Sequence, residues 1–531
     1  MRDSALSAAE PAPRVAGLGL IALAAAAGAL STLPHVHTEA WWLGILAAAV
    51  LAHAVWRLPP RHAAWAGWAF GGAWLAAATW WLFISLNRYG GLAAPLAVAA
   101  VAALSSALAL YLAAAMWAVA RWRSGRAWVD IPAFAAAWLL AELARAVWFT
   151  GFPWAAAGYA QVDGPLSAWA PWVGVYGMGA LVALAGGGLA WALVRIEDTR
   201  WTGRLAPPLA ALVLLGLSTA LPQDFTRSAG TLTVTLVQTG ISQDEKFDPS
   251  RLERVLGGLM DALQDARGEL VIAPETAVPV LPRDLHPQVF RDLAEPFMAS
   301  GGQRAALVGV PLHRGEDGYT NSVVAWTAES MAMDPPAYRY DKHHLVPFGE
   351  FIPSGFAWFV AMLQMPLGEF SRGAVVQPSF GFRGQRVAPN ICYEDLFGEE
   401  LAQRFHDPAG APTLMANASN IAWFGPTIAI DQHLHISRLR SLELQRPMVR
   451  ATNTGATAAI DHRGRVLAWA EPQKRGRVET RVEGREGLTP YAAWVGRLGL
   501  WPLWGLGVAG LILAWGLAGR ARRRTAGAPL P

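Results

Sequence analysis

From Val15 to Leu221 the chain is an almost unbroken run of Ala, Leu, Val, Gly and Trp. A stretch of that length has no polar face with which to meet water. In lipid, a backbone must satisfy its own hydrogen bonds, and a single span needs about 20 mostly apolar residues. Eight segments meet that requirement by hydropathy: Val15–Leu33, Trp41–Trp56, Ala63–Leu86, Leu92–Ala120, Ile131–Phe149, Leu166–Val194, Leu205–Leu221 and Leu498–Ala518, the second and seventh being short. The first could be read as a cleavable signal peptide, but the spans that follow favour an uncleaved helix. With 53% hydrophobic and 15% charged residues, the whole chain is excluded from the purely soluble class. Between Pro222 and about Val495 the composition is that of an ordinary soluble domain. The expected organisation is therefore a membrane α-helical bundle of seven spans over 1–221, an extramembrane domain over 222–490, and an eighth span with a basic tail over 491–531.

Arginine placement gives the orientation. Arg2 and Arg14, then Arg57 and Arg61, then Arg121, Arg123 and Arg126, then Arg195, Arg200 and Arg204, and finally Arg520, Arg522, Arg523 and Arg524 fall on one side. The opposite short loops hold only Arg88. Both termini are expected in the cytoplasm and the 222–490 block outside. A net charge of +4 with arginines beside apolar segments is a topological signature rather than a nucleic-acid footprint. Within the fifth span, Glu142 and Arg145 stand three residues apart and can pair on one helix face, either as a structural ion pair or as part of a substrate wall. The apolar loop Gly151-Phe152-Pro153-Trp154 is expected to lie at the lipid surface.

In the extramembrane block the periodicity changes. Thr231–Gln238, Glu269–Ala273, Ala305–Val310, Ser322–Trp326, Thr413–Asn417 and Ala456–Ile460 read as strands. Arg251–Ala266, Pro287–Ala299, Phe397–Phe405 and Gln432–Gln445 have helical spacing. This alternation predicts an α/β layer fold. There is no phosphate-binding glycine loop, and His343, His344, His433 and His435 lack metal-ligand spacing, so they are expected as surface or core histidines with no metal and no cofactor.

Three strand ends carry chemistry: Val271-Ile272-Ala273-Pro274-Glu275, the stretch Tyr340–Glu350 that contains Lys342, and Pro389–Glu394 with Cys392, the single cysteine of the chain. One cysteine cannot form an intrachain disulfide. It is either a small buried hydrophobe or a nucleophile, and a nucleophilic thiol needs a base, for which a carboxylate serves. A neighbouring ammonium lowers a thiol pKa and can hold a developing oxyanion.

These segments resemble the carbon–nitrogen hydrolase (nitrilase) superfamily, whose Glu–Lys–Cys triad sits on an α-β-β-α sandwich. With the membrane spans, the resemblance narrows to the apolipoprotein N-acyltransferase family. It runs from Glu142–Trp154 through Val237-Gln238, Arg339–Pro353 (RYDKHHLVPFGEFIP), Asn390–Phe397 (NICYEDLF), Ala422-Trp423-Phe424-Gly425 and Arg438–Gly455 to the last span. It implies Glu275 as general base, Lys342 as oxyanion stabiliser and Cys392 as nucleophile. Glu350 would position the triad, Tyr393 and Glu394 would shape the pocket, and Trp423 would face substrate near the bilayer surface. It further implies a phospholipid acyl donor, a thioester intermediate and a diacylglyceryl apolipoprotein acceptor. The expected setting is a monomer in the bacterial inner membrane with the catalytic domain periplasmic. Three positions depart from the family pattern: Ala273 and Phe247 stand where Trp is usual, and Asn420-Ile421 where Asn-Asp is usual. Two rival classes use the same features: a membrane-anchored amidase that releases acyl groups to water, and a transporter with an outer binding module.

Overall fold

The computed structural model describes residues 14–194, 201–314, 318–329, 336–363 and 370–526. Arg2, Arg195 and Arg200 of the charge pattern lie outside these.

Among the described residues, five helices are long and apolar enough to cross a bilayer: Gly17–His35, Ala94–Trp122, Ala127–Thr150, Pro165–Leu193 and Trp501–Arg520. A sixth candidate is the pair Pro60–Thr79 and Leu82–Tyr89, bent by 62° at its break. Two of the eight expected spans are shorter apolar helices, Trp42–Arg57 and Arg204–Ser218. The Ala170–Val194 helix is central and packs on Trp42–Arg57, Ala127–Val147 and Trp201–Ser218, while Trp501–Ala526 lies outside against Ala127–Val147. Small residues set the spacing. A Cβ on Gly28 would stand 2.1 Å from the Phe70 carbonyl oxygen, so only glycine permits that helix crossing.

The soluble part is two six-stranded sheets. The first is ordered β12-β1-β2-β3-β4-β5, the second β11-β10-β9-β8-β7-β6. Their ranges are β1 Thr226–Gln238, β2 Leu270–Ile272, β3 Ala305–Arg314, β4 Gly318–Trp326, β5 Arg339–Asp341, β6 Phe380–Phe382, β7 Gln385–Ile391, β8 Leu414–Ser419, β9 Met448–Thr452, β10 Ala458–Ile460, β11 Val466–Trp469 and β12 Gly476–Gly487. The central pairs β1/β2/β3 and β7/β8/β9 run parallel, with antiparallel strands at the flanks. Parallel strands need cover on both faces, which explains the continuous apolar runs of β2 and β8. Val234, Leu236 and Ile272 of one sheet meet Val387, Ile391 and Val449 of the other in a core between the sheets. On the far side of the first sheet, Val271, Val308 and Val310 pack on Leu256, Leu259 and Leu263 of Leu252–Gln264 and on Leu293 and Phe297 of Pro287–Met298. The second sheet is covered by Ala429–Leu444. There Met415, Met448 and Ile436 share one core with membrane residues such as Trp154 and Tyr176. The layering is helix, sheet, sheet, helix, as the nitrilase resemblance implied, with the last layer continuous with the bundle.

That continuity corrects the expectation for Gly151–Trp154. Trp154 is 3% exposed. Its indole donates to Gln432 Oε1 at 2.8 Å, and Trp81 donates to the same oxygen at 3.2 Å. An apolar, Trp-rich loop reads alike whether lipid or protein covers it; here the soluble domain covers it. The loop is held from below by the fifth expected span. Arg145 donates to the Phe152 and Trp154 carbonyls at 3.0 and 2.6 Å, and Glu142 accepts from the Ala157 amide at 2.7 Å. The two charges therefore serve as a staple for the loop. The most exposed aromatic just before the loop is Phe149, 91% exposed and at φ 55°, beside the exposed Trp148.

Candidate active site

The carboxyl ends of β2, β5, β7 and β8 converge, the position where α/β sheets gather functional groups. After β2, Ala273 still pairs with β3 through its amide to the Leu307 carbonyl at 2.8 Å. The chain then turns at Thr276, φ 47°, and projects Glu275. Gly309 on β3 makes room for the turn, since a Cβ there would sit 2.3 Å from the Pro274 carbonyl oxygen and 2.7 Å from the Glu275 Cα. Glu275 is buried, and both of its oxygens are engaged. Oε1 accepts from Asn321 Nδ2 at 2.7 Å and from Lys342 Nζ at 3.1 Å, and Oε2 accepts from the Asn420 amide at 2.9 Å.

Lys342 follows β5, fixed by its amide to the Asn321 carbonyl at 2.8 Å. Its ammonium is 1% exposed and bridges Glu275 to Glu350, the second at 3.0 Å. Burial works against the charge, but Glu275 and Glu350 overcome it and hold the ammonium above the usual lysine range. Glu350 is anchored in turn by Asn321 Nδ2 at 2.8 Å and the Val346 amide at 2.8 Å. Asn321 thus ties both carboxylates, a role no sequence signal marked.

Cys392 ends β7 in a left-handed conformation, φ 51°, and enters a short 3-10 turn. For a residue with a Cβ this costs energy and persists only when the surroundings enforce it. Glu394 supplies that enforcement. Its Oε2 accepts from the Ile391 amide at 2.6 Å and Tyr340 hydroxyl at 2.8 Å, and its Oε1 from the His343 amide at 2.7 Å. One carboxylate therefore clamps the cysteine turn to the lysine loop, which makes Glu394 a positioning group more than a pocket wall. Beneath the turn, Asp395 is fully buried, paired with Arg450 at 3.1 Å and His433 at 3.0 Å, with Ser437 donating to it. Arg450 can only donate, so it bonds His433 Nδ1 as acceptor and the ring proton sits on Nε2, facing Asp395 and the Cys392 carbonyl. His433 is a core histidine, as expected; this network around it was not.

Burial, then the Glu275 charge, push the Cys392 thiol up to about 12, while Lys342 pulls it down. At neutral pH the resting thiol is protonated and needs a base to attack anything. Glu275 is the carboxylate on this side of the thiol, held by the same Asn420 whose backbone also faces the sulfur. Ile421, one of the departures, lies with Ile430 and Ala456 in a small apolar cluster against which Cys392 and Phe424 pack. An isoleucine here seals the thiol's floor without asking for a hydrogen bond. Ala273 is buried in the helix-side core, and Phe247 is half exposed.

The other expected site residues lie toward the bundle. Tyr393 donates to the Gly151 carbonyl at 3.3 Å and meets Phe397 edge-on. Trp423 is half-buried, its ring edge-on to Tyr89 at 5.4 Å. Among the described residues no cluster of three or more His, Cys, Asp or Glu side chains could hold a metal ion.

Comparison with known proteins bears on this arrangement. A family model described as the apolipoprotein N-acyltransferase N-terminal domain matches residues 27–188, and one described as carbon-nitrogen hydrolase matches residues 233–483. The chain is 50% identical to the apolipoprotein N-acyltransferase of Verminephrobacter eiseniae, over 87% of this chain and 89% of that protein. It is 43% identical to the one from Ralstonia nicotianae, over 95% and 94%, and 44% identical to the one from Bordetella bronchiseptica, over 95% and 97%. Relatives this similar along both halves settle the family: a helical bundle fused to a nitrilase-like sandwich, the chain belongs to the apolipoprotein N-acyltransferase family.

Proposed function

We propose that this chain N-acylates apolipoproteins, moving an acyl group from a phospholipid to the amine of an N-terminal S-diacylglyceryl cysteine through a thioester on Cys392. The observation that carries the reading is the convergence of buried Glu275 and Lys342, 3.1 Å apart, with the half-buried Cys392, on a domain that shares its core with apolar helices. In the first step Glu275 takes the thiol proton and the thiolate attacks the ester carbonyl. The Lys342 ammonium holds the oxyanion, and the C–O bond breaks as Glu275 returns the proton to the leaving lysophospholipid. In the second step Glu275 takes a proton from the acceptor amine as nitrogen attacks the thioester. The C–S bond breaks, the thiolate regains its proton and an amide leaves. Glu350 positions Lys342, Glu394 and Tyr393 set the cysteine turn against the bundle, and Trp423 borders the substrate path. The measurement is paired: intact mass for an acyl adduct on Cys392 after incubation with phospholipid, and analysis of the product when acceptor is added. Acylated amine supports transfer; free fatty acid alone would make the protein a hydrolase that releases its acyl group to water.

Both proposed substrates are lipid-anchored, which explains why the site belongs beside a bundle. We assign residues 1–221 and 491–531 to the membrane part with eight spans, counting the bent pair and the two short helices, and 222–490 to the catalytic domain. The chain acts as a monomer in the bacterial inner membrane with that domain in the periplasm, an orientation the arginine pattern supports. Reporters fused after Leu221 and near Gly484 should read as periplasmic and one after Arg524 as cytoplasmic. A cytoplasmic signal from the 222–490 block would overturn the orientation.

A further inference from the structure

Lys246 ends the short helix Gln243–Lys246, which packs beside Glu275. It is 3% exposed, and its ammonium donates to the Glu275 main-chain carbonyl at 2.7 Å. Buried ammonium groups are ordinarily paired with a carboxylate. The acidic residues of its own helix are engaged elsewhere: Asp244 with Arg88 at 2.5 Å and Glu245 with Arg251 at 3.8 Å. The charged and titratable groups that face it from other elements are those of the active site: Glu275 and Cys392 directly, with Lys342 and Glu350 behind Glu275. One turn earlier, Gln243 Oε1 accepts from Asn420 Nδ2 at 3.1 Å, and the Asn420 amide holds the Glu275 carboxylate. The helix therefore grips the base from two sides, its main chain through Lys246 and its carboxylate through Asn420.

Resting on the acyl-transfer reading above, we infer that Lys246 is a positioning residue for the reaction, fixing the turn that bears Glu275 and supplying the second positive charge of the site. With it, two ammonium groups face two carboxylates; without it, the site carries a net negative charge just where a thiolate must form. A negative surplus disfavours that thiolate and the oxyanion that follows it. Burial lowers the Lys246 ammonium to about 8 against the opposing pull of Glu275 and Cys392. A site that depends on this charge then loses rate as pH rises through that value.

The test follows thioester formation on Cys392 from dioleoyl phosphatidylglycerol in detergent micelles between pH 6 and 10, using full-length protein. The wild-type rate is expected to fall as pH passes about 8. Lys246→Met, nearly isosteric, should unfold at a similar temperature yet form thioester on the order of 10-fold more slowly at neutral pH, with no alkaline fall. Lys246→Arg, charged throughout, should recover rate and carry the fall to higher pH. A Lys246→Met rate equal to wild type, with the same pH profile, overturns the inference. No acyl adduct on Cys392 of the wild type, or turnover by Cys392→Ala run alongside, would instead defeat the Cys392 thioester reading on which the inference rests.

Discussion

Cys392→Ala and Cys392→Ser are both expected to lose acyl transfer by on the order of 10⁴-fold or more and to show no acyl adduct by intact mass. Cys392 is the only thiol in the chain, so no second sulfur can take over. Serine keeps the shape and a hydroxyl, but an alkoxide is harder to generate with a carboxylate base than a thiolate and is the poorer leaving group, and the Lys342 charge favours the thiolate. The fold should survive either change. The left-handed turn is enforced by Glu394 and by the Asp395 network, and neither uses the sulfur. Each variant should therefore unfold near the wild-type temperature while being inactive, which separates chemistry from stability. Substantial turnover by either would remove Cys392 as nucleophile.

The sequence was legible where one residue's neighbours in the chain decide its environment. Strand ends at Glu275, Lys342 and Cys392 were visible because an apolar run stops at a polar residue, and the structure brings those ends within one site. Amphipathic helices such as Leu252–Gln264 were visible because Val255, Leu256, Leu259 and Leu263 fall on one face. What escaped were partnerships between distant segments. Strand β9 carries Arg450 in its middle, which reads as a break in an apolar run until Asp395, 55 residues away, is seen to neutralise it. Strand β12 is polar along most of its length because it is a sheet edge, so its signal is pairing with β1 rather than hydropathy. Asn321 and Lys246 matter only through contacts made after folding. Gly151–Trp154 misled for a related reason: hydropathy registers that a residue avoids water, not whether lipid or a domain 278 residues further along shields it.

The second large effect belongs to Lys342→Met, which should lower thioester formation by on the order of 100-fold or more and also destabilise the fold. The ammonium lies between two buried carboxylates, 3.1 Å from Glu275 and 3.0 Å from Glu350. Removing it leaves the two Oε1 atoms sharing only the Asn321 side-chain amide, and loss of one partner from a buried ionic cluster costs about 3–5 kcal/mol. The variant should accordingly unfold at a lower temperature than wild type as well as forming thioester more slowly. An unfolding temperature equal to wild type would show that Lys342 does not hold Glu275 and Glu350 together, and wild-type thioester formation in the variant would end the oxyanion assignment.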